Sequence, residues 1–149
     1  MNSVKFGTVG ESKAITEFLK LGCTVYTPFS EGNDPFDFIA VKEGQLIRVE
    51  VKSTSQELSP DVYTVSIKAS RHNKSKNWIR NFNSNQCDIL AVYIQPIDTV
   101  CFFKAKDITN KTNITIKKQL SSSKHHKNLR QWLIDDHIDL SLMLSSSQN

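Results

Sequence analysis

Residues 35–54 read PFDFIAVKEGQLIRVEVKST, and their alternation predicts a β-hairpin. Residues 36–41 form a short first arm rich in strand formers, Lys42, Glu43 and Gly44 make the turn, and residues 46–51 return. On the second arm Ile47, Val49 and Val51 point one way, while Arg48, Glu50 and Lys52 point the other. Glu50 and Lys52 are therefore neighbours on one face. Antiparallel pairing about the turn brings Asp37 opposite them. Two readings of this group stand. One is an ordinary acid–lysine pair on a wet face. The other is a chemical site.

The residue types suit the second reading. Two carboxylates offer hard oxygen ligands to Mg²⁺, which also binds phosphate oxygens. A metal so held stabilises charge on a transferring phosphoryl group and makes bound water more nucleophilic. A lysine beside it can hold that water or help deprotonate it, its pKa lowered by burial and raised by the carboxylates. Asp37 lies among Phe36, Phe38 and Ile39, and Glu11 stands upstream.

The chain has 149 residues, enough for one domain that buries roughly two-thirds of its unfolded surface. A formal charge of +4 is modestly basic and does not by itself demand a polyanionic partner. Cys23, Cys87 and Cys101 are odd in number and widely spaced, which reads as buried thiols in a reducing compartment. The start lacks a signal-peptide core, and there is no long unbroken apolar run. The expectation is a soluble, intracellular protein of the cytoplasm with no membrane partner.

Working outward, Gly7 and Gly10 read as flanking a turn, and a helix is expected over residues 11–21. Its stripe is Ala14, Ile15, Phe18 and Leu19, with Gly22 as the stop. Glu11 shares that face. As a first-turn acid it either serves the helix dipole or points at the metal site. A strand follows over residues 23–26, then a turn-rich loop in which Asp34 is a rival ligand better suited to turn bonding. Residues 62–67 alternate, with Tyr63, Val65 and Ile67 as the apolar set. Residues 89–94 are the most apolar run and the candidate central strand. Asp88 at its entry suits capping or turn bonding. Residues 95–98 turn the chain into an antiparallel partner over 99–103, and residues 112–117 alternate as a short strand.

Two segments carry positive charge. Residues 68–82 hold Lys68, Arg71, His72, Lys74, Lys76 and Arg80 with no acid, and read as a helix or partly helical arm anchored by Trp78, Ile79 and Phe82. The block suits phosphate-backbone contact, though a solvated basic face has the same composition. Residues 117–130 are the second, with Lys124 and His125 as candidate contacts, leading into a helix that includes Leu129, Trp132 and Leu133. The late stripe of Ile138, Leu140, Leu142 and Leu144 covers the core or seals a subunit interface.

Asp37 with Glu50-Val51-Lys52, preceded by Gly10-Glu11 at the first helix, resembles the signature of the PD-(D/E)XK, or restriction-endonuclease-like, nucleases. The resemblance spans roughly residues 7–107, and its specificity comes from the ordered set rather than from the short motif. One departure is that Phe36 rather than Pro precedes Asp37, with Pro35 one position earlier. Within the family the chain resembles the homing-endonuclease type encoded in a cyanobacterial transfer-RNA group I intron, which implies a target in the intronless transfer-RNA gene.

The resemblance implies an α/β fold with a mixed central β-sheet flanked by helices. It implies a single nuclease domain over residues 1–149 with DNA-contacting segments near 68–85 and 117–130. It also implies a Mg²⁺-dependent endodeoxyribonuclease, with Mn²⁺ able to substitute. Asp37, Glu50, the Val51 carbonyl and Glu11 would be ligands, Lys52 would serve the attacking water, and the products would be 5′-phosphate and 3′-hydroxyl ends. The implied partner is double-stranded DNA with a long pseudopalindromic site, met by a homodimer or homotetramer in a bacterial cytosol. A Holliday-junction resolvase or a restriction endonuclease would use the same site, and a catalytically inactive DNA-binding module would share the fold.

Overall fold

In the computed structural model, residues 42–45 close the hairpin through a two-residue turn. Glu43 and Gly44 have φ of 51° and 77°, the pair of positive values that a type I′ turn requires. The structure describes residues 2–29, 34–73, 76–109, 112–119 and 132–145.

The described elements, in chain order, are α1 (Ser3–Lys20), β1 (Thr24–Tyr26), β2 (Phe38–Lys42), β3 (Gln45–Thr54), β4 (Glu57–Ser59), β5 (Val62–Ser66), β6 (Ala69–Asn73), β7 (Lys76–Arg80), β8 (Ile89–Ile94), β9 (Thr99–Lys104), β10 (Asn113–Lys117), β11 (Trp132–Leu133) and α2 (Leu140–Ser145), with 3₁₀ turns after β8, β9 and β11.

The main sheet has the order β1-β2-β3-β8-β9. Its one parallel pair, β3 with β8, lies at the centre, and the others are antiparallel, so the sheet is mixed. β8 is buried along its whole length, as its unbroken apolar run predicts. Alternation sends Val49, Val51, Ile89, Ala91 and Phe102 to one face, under Ala14 and Phe18 of α1 and Leu140 and Leu144 of α2. Leu90, Val92, Ile94 and Phe103 face the other way, against a second sheet of order β11-β10-β5-β4. The expected α/β fold is present, with helices on one face and the second sheet on the other.

Several expectations need correction. The first helix begins at Ser3, not near Glu11, because Asn2 caps it by accepting from the Lys5 amide at 2.9 Å. Gly7 and Gly10 are helical, and Glu11 therefore lies in mid-helix rather than at a dipole end. Leu19 is 53% exposed, so the stripe runs through Ala14 and Phe18. Residues 69–73 and 76–80 form no helix: β6 and β7 pair antiparallel as a ribbon, with Arg71 opposite Trp78. Ser70, His72, Asn73 and Asn77 are poor helix formers that compete for the backbone, whereas Trp78 and Ile79 favour strand. Trp132 and Leu133 are likewise a strand, parallel to β10, not part of a helix. The late stripe divides, Leu140 and Leu144 entering the core while Ile138 and Leu142 stay exposed.

Other elements stand as expected. Gly22, at φ 81°, follows the helix stop. Tyr63, Val65 and Ile67 are buried, as are Ile114, Ile116 and all three free cysteines. His137 covers the outer edge of β9, its carbonyl accepting from the Phe102 amide at 2.7 Å and its Nδ1 lying 3.0 Å from the Phe102 carbonyl. No helix among the described residues is long and apolar enough to cross a membrane.

Candidate active site

The hairpin register fixes the site. Phe38 pairs with Val49, so Asp37, one residue before β2, lies beside Glu50 at the point where the ladder ends. The Asp37 amide donates to the Val49 carbonyl at 2.8 Å, and the Val51 amide donates to Asp37 Oδ2 at 2.6 Å. The carboxylate thus takes the place of the next β2 carbonyl. The Val51 carbonyl lies on the same edge as its amide, past the end of β2.

Glu50 and Lys52 share the opposite parity of β3, and Lys52 Nζ lies 2.9 Å from Glu50 Oε1. Their side chains are 16% and 24% exposed, so this is no wet-face pair. Burial raises the Asp37 pKa, against the lowering effects of the Val51 amide and Lys52. Burial also raises that of Glu50, opposed by Lys52 and reinforced by Asp37. The Glu11 pKa is raised by burial and then by the Asp37 charge. Asp37 and Glu50 thus share one lysine, and burial raises the pKa of all three acids.

Gly10 sets the height of α1 over the sheet. A Cβ there would stand 1.9 Å from Ser53 Oγ and 3.3 Å from the Cβ atoms of both Ser53 and Tyr93. Only a bare backbone fits, and Glu11 follows immediately. Beyond the pair, the buried Cys87 thiol is pushed up to about 12, chiefly by burial and then by Glu50.

Among the described residues no three His, Cys, Asp or Glu side chains converge as a preformed metal cluster. The donor set nevertheless fits a hard divalent cation. Half-buried carboxylates in excess over cations are stabilised by a positive ion between them, and their oxygens are the ligands Mg²⁺ takes.

The remaining sequence-derived residues divide. Asp88 is held by Arg48, whose Nε and Nη2 lie 3.2 and 3.1 Å from Oδ2 and Oδ1 and whose amide donates to Oδ2 at 2.8 Å. This fork links β3 to the entry of β8, and no local pattern signals it, since the partners are 40 residues apart. Asp34 is exposed. Thr54, in the polar run after Lys52, bonds internally, its hydroxyl donating to the Thr64 carbonyl at 2.6 Å. Lys68 is exposed. Arg71, His72, Lys76 and Arg80 lie on the β6–β7 ribbon, while Lys74, Lys124 and His125 are outside the described residues.

No curated protein sequence matches the chain. Among solved structures, the bacterial homing endonuclease I-Ssp6803I superposes with a TM-score of 0.73 at 21% identity, over 99% of this chain and 98% of its own. Hjc, a Holliday junction resolvase from Archaeoglobus fulgidus, matches over 75% of this chain and 84% of its own, with a TM-score of 0.46 at 16% identity. The profile of the PD-(D/E)XK endonuclease family matches residues 1–135, which include every residue of the site. The chain therefore belongs to the PD-(D/E)XK endonuclease family.

Proposed function

We propose that this protein is a Mg²⁺-dependent endodeoxyribonuclease that hydrolyses phosphodiester bonds at a specific site in double-stranded DNA, in the manner of an intron homing endonuclease. The observation that carries this reading is the junction of Asp37, Glu50 and Lys52 at the open end of the β2–β3 ladder. Asp37, Glu50 and the Val51 carbonyl would hold the metal, with Glu11 as a direct or outer ligand. Bound there, Mg²⁺, or Mn²⁺ in its place, would neutralise phosphate charge and acidify water.

The chain's own groups do the rest. The Val51 amide fixes the Asp37 carboxylate in one orientation. Lys52, its Nζ held 2.9 Å from Glu50 Oε1, orients the attacking water. The β6–β7 ribbon includes Arg71, His72, Lys76 and Arg80 in its sequence, and a two-stranded ribbon is an element that the major groove of DNA admits. Lys68, Lys74, Lys124 and His125 add backbone contacts. The homing assignment draws on the whole-chain likeness to a homing endonuclease. Cutting both strands with one site per chain calls for a homodimer or homotetramer on a pseudopalindromic target.

The test is Mg²⁺-dependent cleavage of a randomised duplex library, an intronless transfer-RNA gene fragment and a four-way junction, by wild type and by Asp37→Asn and Lys52→Ala proteins. Site-specific cutting by wild type alone, with duplex affinity retained in Lys52→Ala, is expected. Cutting of the junction only would replace homing by junction resolution. Wild-type-rate cutting by Lys52→Ala would overturn the assignment of that residue, and binding without any cutting would leave a DNA-binding module.

A further inference from the structure

A cleft of about 380 Å³ with charged side chains on its walls opens beside this site, where β3 meets the entry of β8 and the end of β9. Arg48, Ser84, Asn85, Asp88, Lys104 and Lys106 line it. Three cations face one carboxylate, so two positive charges are in excess. Asp88 uses only one edge of the Arg48 guanidinium, through Nε and Nη2, and the five-donor fork keeps further N–H groups for another acceptor. The same residue ties the far wall in place, because its carbonyl accepts from the Ala105 amide at 3.0 Å, at the head of the turn that carries Lys106. Neither Lys104 nor Lys106 forms an ion pair among the described residues, and both are exposed.

The cleft's position matters as much as its charge. Arg48 and Glu50 are two residues apart on one face of β3, hence about 6.6 Å apart along the strand. That is of the order of one step between phosphates on a nucleic-acid strand. Its donors are guanidinium, ammonium, amide and hydroxyl groups, the set that binds phosphate oxygens.

We propose that this cleft receives a backbone phosphate of the substrate strand next to the scissile one, with Arg48, Lys104 and Lys106 as its contacts. The proposal rests on the nuclease reading and adds to it a second anchor, which would fix the strand's register over Asp37 and Glu50. It assigns a binding role to the end of β9 and its following turn, outside the basic segments that the sequence singled out.

The experiment measures binding of a short random-sequence duplex, in Mg²⁺, over a salt series, for wild type, Lys104→Gln/Lys106→Gln, Lys106→Gln alone and a Lys20→Gln control on the far helix. The slope of log K against log salt should fall by about one unit in the double variant, the loss of one neutralised phosphate. The single variant should lie between, and the control should match wild type. Thermal unfolding checks that the variants fold. An unchanged slope in a folded double variant that still cuts DNA overturns the cleft and leaves the nuclease reading standing. A reduced slope in a protein that cuts no substrate overturns the nuclease reading, and with it the cleft's place beside a scissile phosphate. If inorganic phosphate raises the wild-type Tm but not the variant's, while the slopes agree, the cleft serves free phosphate and the proposal fails.

Discussion

The same substitution at two glycines of α1 should act with opposite signs. Gly7 has no atom within 4 Å of where a Cβ would stand, whereas a Cβ at Gly10 meets Ser53 Oγ at 1.9 Å and two main-chain-anchored Cβ atoms at 3.3 Å. Alanine in a helix interior gains about 1 kcal/mol over glycine. Gly7→Ala should keep most of that gain. At Gly10 the Ser53 hydroxyl can rotate away, but the carbons of β3 and β8 cannot, and overpacking of this kind costs about 1–3 kcal/mol. The net for Gly10→Ala is a loss of about 1 kcal/mol, or ~2 where Ser53 finds no other rotamer. At this chain length each kcal/mol moves Tm by roughly 2–4 °C. The assay is urea unfolding with thermal melts of both variants. Because relief comes by lifting α1, Gly10→Ala should also move Glu11 away from Asp37 and weaken Mg²⁺-dependent cleavage, which Gly7→Ala should spare. A Gly10→Ala protein more stable than wild type would refute the close-approach argument.

Two further outcomes are expected. Burial and Asp37 raise the pKa of Glu50 in the folded state, so between the unfolded and folded values the native protein binds more protons, and stability falls as pH rises through that window. Without metal, Glu50→Gln should therefore melt higher than wild type near neutral pH, with the difference vanishing in acid. Mg²⁺ should raise the Tm of wild type far more than that of the variant, and calorimetry showing equal shifts would remove Glu50 from the ligand set. Replacing Arg71 or Arg80 on the β6–β7 ribbon by Ala should weaken duplex binding and flatten its salt dependence by about one unit per lost phosphate contact, whereas a change confined to one base pair of the target would mark a base-reading residue instead.

The hairpin and the placing of its acids and lysine were legible because both are local. Period-two alternation separates Glu50 and Lys52 from Val49 and Val51, and Glu43-Gly44 sets the turn, so the register that brings Asp37 beside Glu50 follows from about twenty residues. The buried strands β5, β8 and β10 were legible for the same reason. The start of α1 was not. A glycine's helical cost is visible in sequence, but the sheet that makes Gly10 the residue that fits is distant along the chain. The β6–β7 ribbon was misread because its short, polar, asparagine-rich segment has no decisive period, and the basic residues that suggested an interface say nothing of backbone geometry.

What the sequence determined by itself, then, is the motif: which acids, which lysine, and on which strand face, since side-chain direction in a hairpin is fixed by counting residues. What tertiary structure alone decided is the surroundings of that motif. Placing β8 parallel to β3 puts Asp88 on Arg48 across 40 residues and opens the basic cleft at the end of β9. Seating α1 on the opposite face at the distance a glycine permits brings Glu11 towards Asp37. Those contacts depend on how separate elements pack, and packing is set by the shape and burial of the whole chain rather than by spacing within any stretch of it.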